Sequence, residues 1–174
     1  MTQRSAPTLE TERLRLRAFG ADDLPQLAAL WADPLVTQFV GGRPLSEEES
    51  WRKALAGTAQ WGLFGFGYWI VTDRDDRLVG HMGFADFRRG IDPAMDGAPE
   101  LGYVFASATH GKGMAGEACR AALDWLDREL GQESWAIISP GNAPSLKLAD
   151  RLGFARVGQV DYHGETVLLK RPAA

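Results

Sequence analysis

Cysteine is almost absent from this chain of 174 residues, with Cys119 standing alone. A single thiol rules out a disulfide within the chain and a cysteine metal cluster. The three histidines, His81, His110 and His163, are isolated and lack ligand spacing, so no metal is expected. No apolar run approaches the about 18 residues that a membrane-crossing helix needs, and the N-terminus has no signal-peptide core. A cytoplasmic protein that does not enter membranes is therefore expected. No basic stripe is present, and the net charge is −4, which argues against nucleic acid as a partner. The chain has no Walker-type phosphate loop, no Gly-x-Gly-x-x-Gly fingerprint and no nucleophile elbow. Repeats and low-complexity segments are also lacking.

What is abundant is glycine, at 20 residues, and tryptophan, at 6. Together they suggest close backbone approaches and an aromatic-lined cleft. The glycines concentrate in Ala108-Thr109-His110-Gly111-Lys112-Gly113-Met114-Ala115-Gly116. This turn joins a strand-like run, Pro99 to Ala106, to a helical run, Gly113 to Leu130. Such a junction presents backbone N–H groups and the positive end of a helix dipole to an anion. A plain glycine turn is the other reading of the same residues.

Residues 1–8 read as a loose tail. Arg13 to Arg17 alternates arginine with leucine, as a half-buried strand with a solvated charged face. A helix is expected over Ala21–Trp31, capped by Asp22 or Asp23 and stopped by Pro34. Ser46 and Glu49 form a capping box for a second helix reaching about Ala59. Strands follow at Tyr68–Thr72, Arg77–Phe87 and Pro99–Ala106. His81 falls on an apolar strand and reads as a core or cleft-wall residue. Along the third of these strands Glu100, Gly102 and Val104 share one face, while Leu101, Tyr103 and Phe105 share the other. Cys119 sits on the small apolar stripe of the Gly113–Leu130 helix and reads as a core residue. A short strand over 135–138 precedes a helix capped by Asn142, over Ala143–Leu152, and strands at Phe154–Val160 and Thr166–Lys170 complete the chain. The order is β-α-α-β-β-β-α-β-α-β-β, an α/β (α+β) arrangement with one parallel pair around the glycine turn.

Four groups of residues carry a resemblance: Leu9-Glu10-Thr11-Glu12-Arg13-Leu14-Arg15-Leu16-Arg17, Glu100-Leu101-Gly102-Tyr103-Val104, the glycine turn with Glu117-Ala118, and Asn142-Ala143-Pro144-Ser145 followed by Leu152-Gly153-Phe154. In this order and spacing they resemble the GNAT N-acetyltransferase superfamily, and within it the RimJ/RimL-like branch that acetylates ribosomal-protein N-termini. The resemblance spans nearly the whole chain. It implies a single N-acetyltransferase domain over 1–174, with a mostly antiparallel sheet of about seven strands flanked by about four helices. It implies acetyl-CoA as cosubstrate and a primary amine as acceptor, in a monomer or homodimer.

The family turn pattern falls on His110, Gly113 and Ala115, with His110 in place of the usual Gln or Arg. The resemblance thus assigns coenzyme A to His110, Gly111, Lys112, Gly113, Met114, Ala115 and Gly116. Val104 and Phe105 match the positions whose backbone pairs with the pantetheine arm, one N–H serving as oxyanion donor. Asn142 would touch the pantetheine or cap its helix. Glu100 is the candidate base, with a structural pairing to an arginine as the other reading. Many relatives carry a Tyr acid where this chain has Ala149, and Ser145 is the substitute, with Tyr103 facing away from Glu100.

The implied reaction is direct attack of a neutral amine on the thioester. An α-amine has a pKa near 7.7–8.0 and lysine near 10.4, so lysine costs roughly 3.4 kcal/mol more to deprotonate. A modest base therefore suits an α-amine. A peptide N-terminus, a small amine such as an amino acid, polyamine or antibiotic, and a non-catalytic acyl-CoA-binding module all remain open.

Overall fold

Residues 5–174 are described by a computed structural model, and in them the alternating runs become one eight-stranded sheet. The strands are β1 (Leu9–Glu10), β2 (Leu14–Arg17), β3 (Tyr68–Asp73), β4 (Leu78–Ala85), β5 (Glu100–Phe105), β6 (Ser134–Ile138), β7 (Ala155–Asp161) and β8 (Glu165–Arg171). The helices are α1 (Leu24–Ala32), α2 (Pro34–Thr37), α3 (Glu47–Phe64), α4 (Met114–Glu129) and α5 (Ala143–Arg151). The strand order is β1-β2-β3-β4-β5-β6-β8-β7, and every neighbouring pair is antiparallel except β5 with β6. No helix among these residues is long and apolar enough to cross a membrane.

The sheet carries one strand more, and the flanks one helix more, than expected. The added strand is β1, two residues that extend the β2 edge. The added helix is α2, where Pro34 was read only as a stop. Pro34 ends α1 but also occupies the first position of α2, which Asp33 caps by accepting from Leu35 N–H at 2.8 Å. Asp23 does not cap α1. Its carboxylate instead accepts from Gly20 N–H and is gripped bidentately by Arg17 at 2.7 and 2.8 Å. The Ser46–Glu49 capping box is present, but its helix continues past Ala59 to Phe64. Buried Ala54, Gly57 and Trp61 extend the inward stripe, and Gly65 at φ +79° ends the helix. Residues 1–4 of the expected tail lie outside the described residues; Ala6 packs on the core, and the Pro7 carbonyl accepts from Trp69 Nε1 at 2.8 Å.

The sheet buries both faces. On one face α4 lays Ala118, Cys119, Ala122 and Leu126 against Met82, Phe84, Leu101 and Phe105. Burial pushes the Cys119 thiol up to about 12, as fits an inert core residue. Trp61, Trp69 and Trp125 meet edge-on in this core, with centroids 4.7–5.3 Å apart, so half of the tryptophans do not line a cleft. On the other face α1 and α3 cover Ile70 and Val104. The same face also carries two buried polar residues, His81 on β4 and Glu100 on β5.

Candidate active site

The turn before α4 is built by a 3-10 turn, Ser107–Thr109, and two left-handed glycines. Gly111 has φ +75° and Gly113, the N-cap of α4, has φ +76°, a region that side chains rarely adopt. Within the turn, the N–H groups of Thr109, His110 and Lys112 bond to carbonyls of Ala106, Ser107 and Thr109. The N–H groups of Gly111, Gly113, Met114, Ala115 and Gly116 have no acceptor among the described residues. Space beside Gly111 is open. Of the N–H groups expected to be free over Gly111–Gly116, that of Lys112 is already used and the other five are unpaired among the described residues.

Three cations border this cradle. Lys112 is exposed. Arg120, one turn into α4, lies over Gly116. Arg13 donates to the Lys112 carbonyl at 2.8 Å and to Glu117 at 2.7 Å. Glu117, the one acid in the first turn of α4, also accepts from Thr11 Oγ1 and from Arg13 N–H. Its charge is therefore answered from the turn between β1 and β2, and the helix start stays favourable to an anion. Arg13 is more than part of a solvated face: it fastens the sheet edge to the turn. Neither Arg13 nor Arg120 belongs to the turn in sequence, so spacing alone did not reveal them.

The second feature is a gap in the sheet. β5 and β6 pair at one position only, Glu100 with Trp135, although β5 continues to Phe105 and β6 to Ile138. Trp135 N–H donates to the Pro99 carbonyl, and Ala106 N–H donates to Val79 on β4. Backbone groups of alternate residues face alternate edges. Those of Gly102 and Val104 therefore face β4, while those of Tyr103 and Phe105 face the gap. Of the two residues expected to offer an N–H, Val104 is engaged opposite His81 and Phe105 is the one turned to the gap. His110 Nε2 reaches the Phe105 carbonyl at 3.0 Å. A carbonyl only accepts, so that nitrogen carries the proton. His110 thus braces the rim of the gap.

On the α5 side of the gap, Asn142 Oδ1 accepts from Ser145 N–H at 3.3 Å, so Asn142 caps α5. Ser145 stands near Tyr103, close enough to influence its phenol but outside hydrogen-bond geometry. Tyr103 Oη is buried without a partner, and burial raises its pKa. Ala149, where relatives carry tyrosine, is buried in the core.

On the opposite face lies a cleft around Glu100. Its carboxylate is 5% exposed and is held bidentately by Arg89, with Nε–Oε2 at 2.9 Å and Nη2–Oε1 at 3.0 Å. Burial raises the Glu100 pKa, and the attraction of Arg89 opposes that rise without cancelling it. Arg89 also donates to Tyr162 Oη at 3.1 Å and lies 4.3 Å from the Phe87 ring centroid. Tyr162 belongs to the turn between β7 and β8, so Arg89 ties three segments together. Tyr68 lies across β5, where a Cβ at Gly102 would collide with its hydroxyl. Its ring stands 4.9 Å from that of His81. Tyr68 on β3, Arg89 in the loop after β4 and Tyr162 in the β7–β8 turn thus surround Glu100.

His81 is a cleft-wall residue buried to 2% exposure, and its Nδ1 accepts from Trp31 Nε1 at 3.2 Å. Burial, aided by the Lys53 charge, lowers its pKa to about 3. The fold holds His81 neutral, whereas the unfolded chain protonates it below about 6.5. The stability that follows is complete above that pH and declines as pH falls through 6.5 toward 3. Between pH 7.5 and pH 5, His81 is expected to remove about 2 kcal/mol of folding stability. Urea denaturation at the two pH values checks this: His81→Gln keeps an acceptor for Trp31 and should shrink the difference by that amount.

Known proteins match this chain along most of its length. The family model described as Acetyltransferase (GNAT) domain matches residues 13–155. An N-acetyltransferase of Bacillus licheniformis, p20, itself uncharacterised, is 31% identical over 154 residues, covering 87% of this chain and 84% of that protein. A protein from Bordetella pertussis assigned to the GnaT-family acetyltransferases superposes with a TM-score of 0.85 at 34% identity, covering 95% of this chain and 99% of that one. RimL, a ribosomal L7/L12 α-N-protein acetyltransferase solved with coenzyme A, shares the fold at a TM-score of 0.77 and 15% identity, over 95% and 98% of the two chains. With its matched span running from the arginine that braces the glycine turn through the gap in the sheet and α5, the chain belongs to the GNAT acetyltransferase family and is an acyltransferase.

Proposed function

We propose that the chain transfers an acetyl group from acetyl-CoA to a primary amine by direct attack. The observation that carries this reading is the set of five unanswered N–H groups at Gly111, Gly113, Met114, Ala115 and Gly116 beside three cations. A pyrophosphate is the ligand such a cradle suits. The coenzyme supplies an activated thioester. The gap between β5 and β6 offers free strand-edge groups to an extended arm. The Phe105 N–H lies on that edge and is the oxyanion donor in this reading.

The amine enters from the Glu100 face. Glu100 takes its proton, directly or through water, while Arg89 holds the carboxylate in place. The departing thiolate needs a proton on the other face, and Ser145 supplies it. Asn142 keeps Ser145 at the head of α5. A peptide N-terminus and a small amine both fit this scheme.

Thiol release from acetyl-CoA tests the reading, with N-terminal peptides, free amino acids, polyamines and aminoglycosides as acceptors and calorimetry for coenzyme A itself. Release with one class of amine is expected. Coenzyme A binding without release for any amine would favour a non-catalytic module, and no binding would overturn the cradle. Ser145→Ala should lower kcat by about ten- to a hundredfold, at the lower end of general-acid effects because a thiolate leaves readily. The KM for the amine should move little. An unchanged kcat would remove Ser145 from the acid role.

A further inference from the structure

Most charges around Glu100 are paired: Glu100 itself with Arg89, and Asp86 and Asp96 with Arg88, at 2.8 and 3.3 Å. Lys53, on α3, has no salt bridge and no hydrogen bond among the described residues. Its ammonium stands 4.7 Å from the centroid of the Trp31 ring. It is half-buried and lies within electrostatic reach of both Arg89 and Glu100. Trp31 in turn bonds His81, which packs on Tyr68, whose hydroxyl lies over Gly102 next to Glu100. Lys53 is therefore connected by contact to the floor of the cleft. His81 is neutral at physiological pH and adds no charge. Lys53 is thus the cation of this group that has no carboxylate partner among the described residues.

A lysine with a free path to water extends its ammonium into solvent. Here the ammonium instead rests on an indole and is partly desolvated. Burial, reinforced by the charge of Arg89, lowers its pKa. An arriving anion offsets both by stabilising the charged ammonium. An aromatic face beside a cation also suits a carboxylate, which binds the cation while the carbon skeleton packs on the ring.

We propose that the acceptor amine carries a carboxylate, and that Lys53 on the Trp31 ring is the group that receives it. The proposal rests on the acetyltransferase reading for the amine but not for the anion site. The carboxylate belongs either to a free amino acid or to an acidic first residue of a peptide. Both present the same chemistry to Lys53.

The test compares kcat/KM for thiol release within matched pairs. One arm sets free amino acids against their α-amides, at equal concentration of neutral amine. The other sets peptides beginning with Asp or Glu against the same peptides beginning with Asn or Gln. The carboxylate member is expected to be better by about tenfold in one arm, which names the source. Lys53→Gln, with Lys53→Met as a second variant, should bring that ratio close to one, and coenzyme A binding by each variant reports that it is folded. A binding readout runs beside turnover: calorimetry of N-acetylglycine against N-acetylglycinamide, and of N-acetylated peptides beginning with Glu against Gln. Tighter binding of the carboxylate forms that disappears in Lys53→Gln supports the site. Equal rates and equal binding within every pair, or a preference that survives both variants, overturns it. If coenzyme A fails to bind while carboxylates still bind through Lys53, the acetyl-CoA reading falls and the carboxylate site stands.

Discussion

Replacing Gly113 with valine is expected to weaken coenzyme A binding by about a hundredfold or more while the protein remains folded. Gly113 is the N-cap of α4 at φ +76°, so a β-branched residue there is strained whatever space surrounds it. The space is adequate: an added Cβ would meet only Arg13 Nη2, at 3.6 Å. The penalty is therefore backbone strain, on the order of 1–3 kcal/mol, which a domain with roughly 5–15 kcal/mol of stability survives. Relief of that strain turns the peptide and re-aims the N–H groups of Gly113 and Met114. Each hydrogen bond to a charged group contributes about 1.5–3 kcal/mol, so two misdirected donors account for a hundredfold loss or more. Calorimetry with coenzyme A, together with a thermal melt, separates the two effects. Normal binding in a folded Gly113→Val protein would show that the cradle does not hold the coenzyme. Gly111→Ala is a milder companion, since nothing lies near that position but its φ is +75°.

Glu100→Gln is expected to lower kcat/KM by about a hundredfold or more, in line with the loss of a general base. The magnitude alone does not decide the role, because the same substitution breaks a buried ion pair. The pH profile does. Burial holds the Glu100 pKa above its ordinary value, so its basic form grows in as pH rises through that elevated pKa. The wild-type profile should show this acid limb, and Glu100→Gln should lack it, leaving only the ionisation of the acceptor amine. Arg89→Met provides the converse. Removing the guanidinium leaves the 5% exposed carboxylate unpaired. Its pKa should then climb further and the acid limb should move to higher pH. Loss of one partner of a buried pair costs about 3–5 kcal/mol, so the midpoint of denaturation should fall as well. An acid limb that persists unchanged in Glu100→Gln would leave Glu100 as a structural partner of Arg89.

The glycine turn, the α4 stripe and the Asn142 cap were legible because each depends on residues close in sequence. Gly111 and Gly113 signal positive φ, Ala118, Cys119, Ala122 and Leu126 recur at the helical period, and Asn142 precedes Ser145 by a capping interval. The end of α3 depends instead on distant partners. Alternating glycines and aromatics over 61–69 imitate a strand approach, but Trp61 completes an inward stripe whose partners, Trp69 and Trp125, are distant in sequence. Arg89 gave no signal at all, because a polar loop has no period to break. Lys53 looked like any solvated helix lysine until Trp31 was placed beneath it.

By itself, the amino-acid sequence determined most of the elements, their order, the glycine turn with its left-handed residues and the family membership that the combined motifs imply. Those properties follow from local backbone preference and side-chain period, which act over a few residues. Tertiary structure alone decided which groups face one another. It opened β5 from β6 after Glu100, turned Phe105 rather than Val104 toward the gap, braced the turn with Arg13 and placed Arg120 beside Gly116. It also paired Glu100 with Arg89 and left Lys53 without a counter-ion. Electrostatic and hydrogen-bonding partners are chosen by distance in space. Here that distance is set by packing α1 and α3 on one face of the sheet and α4 on the other.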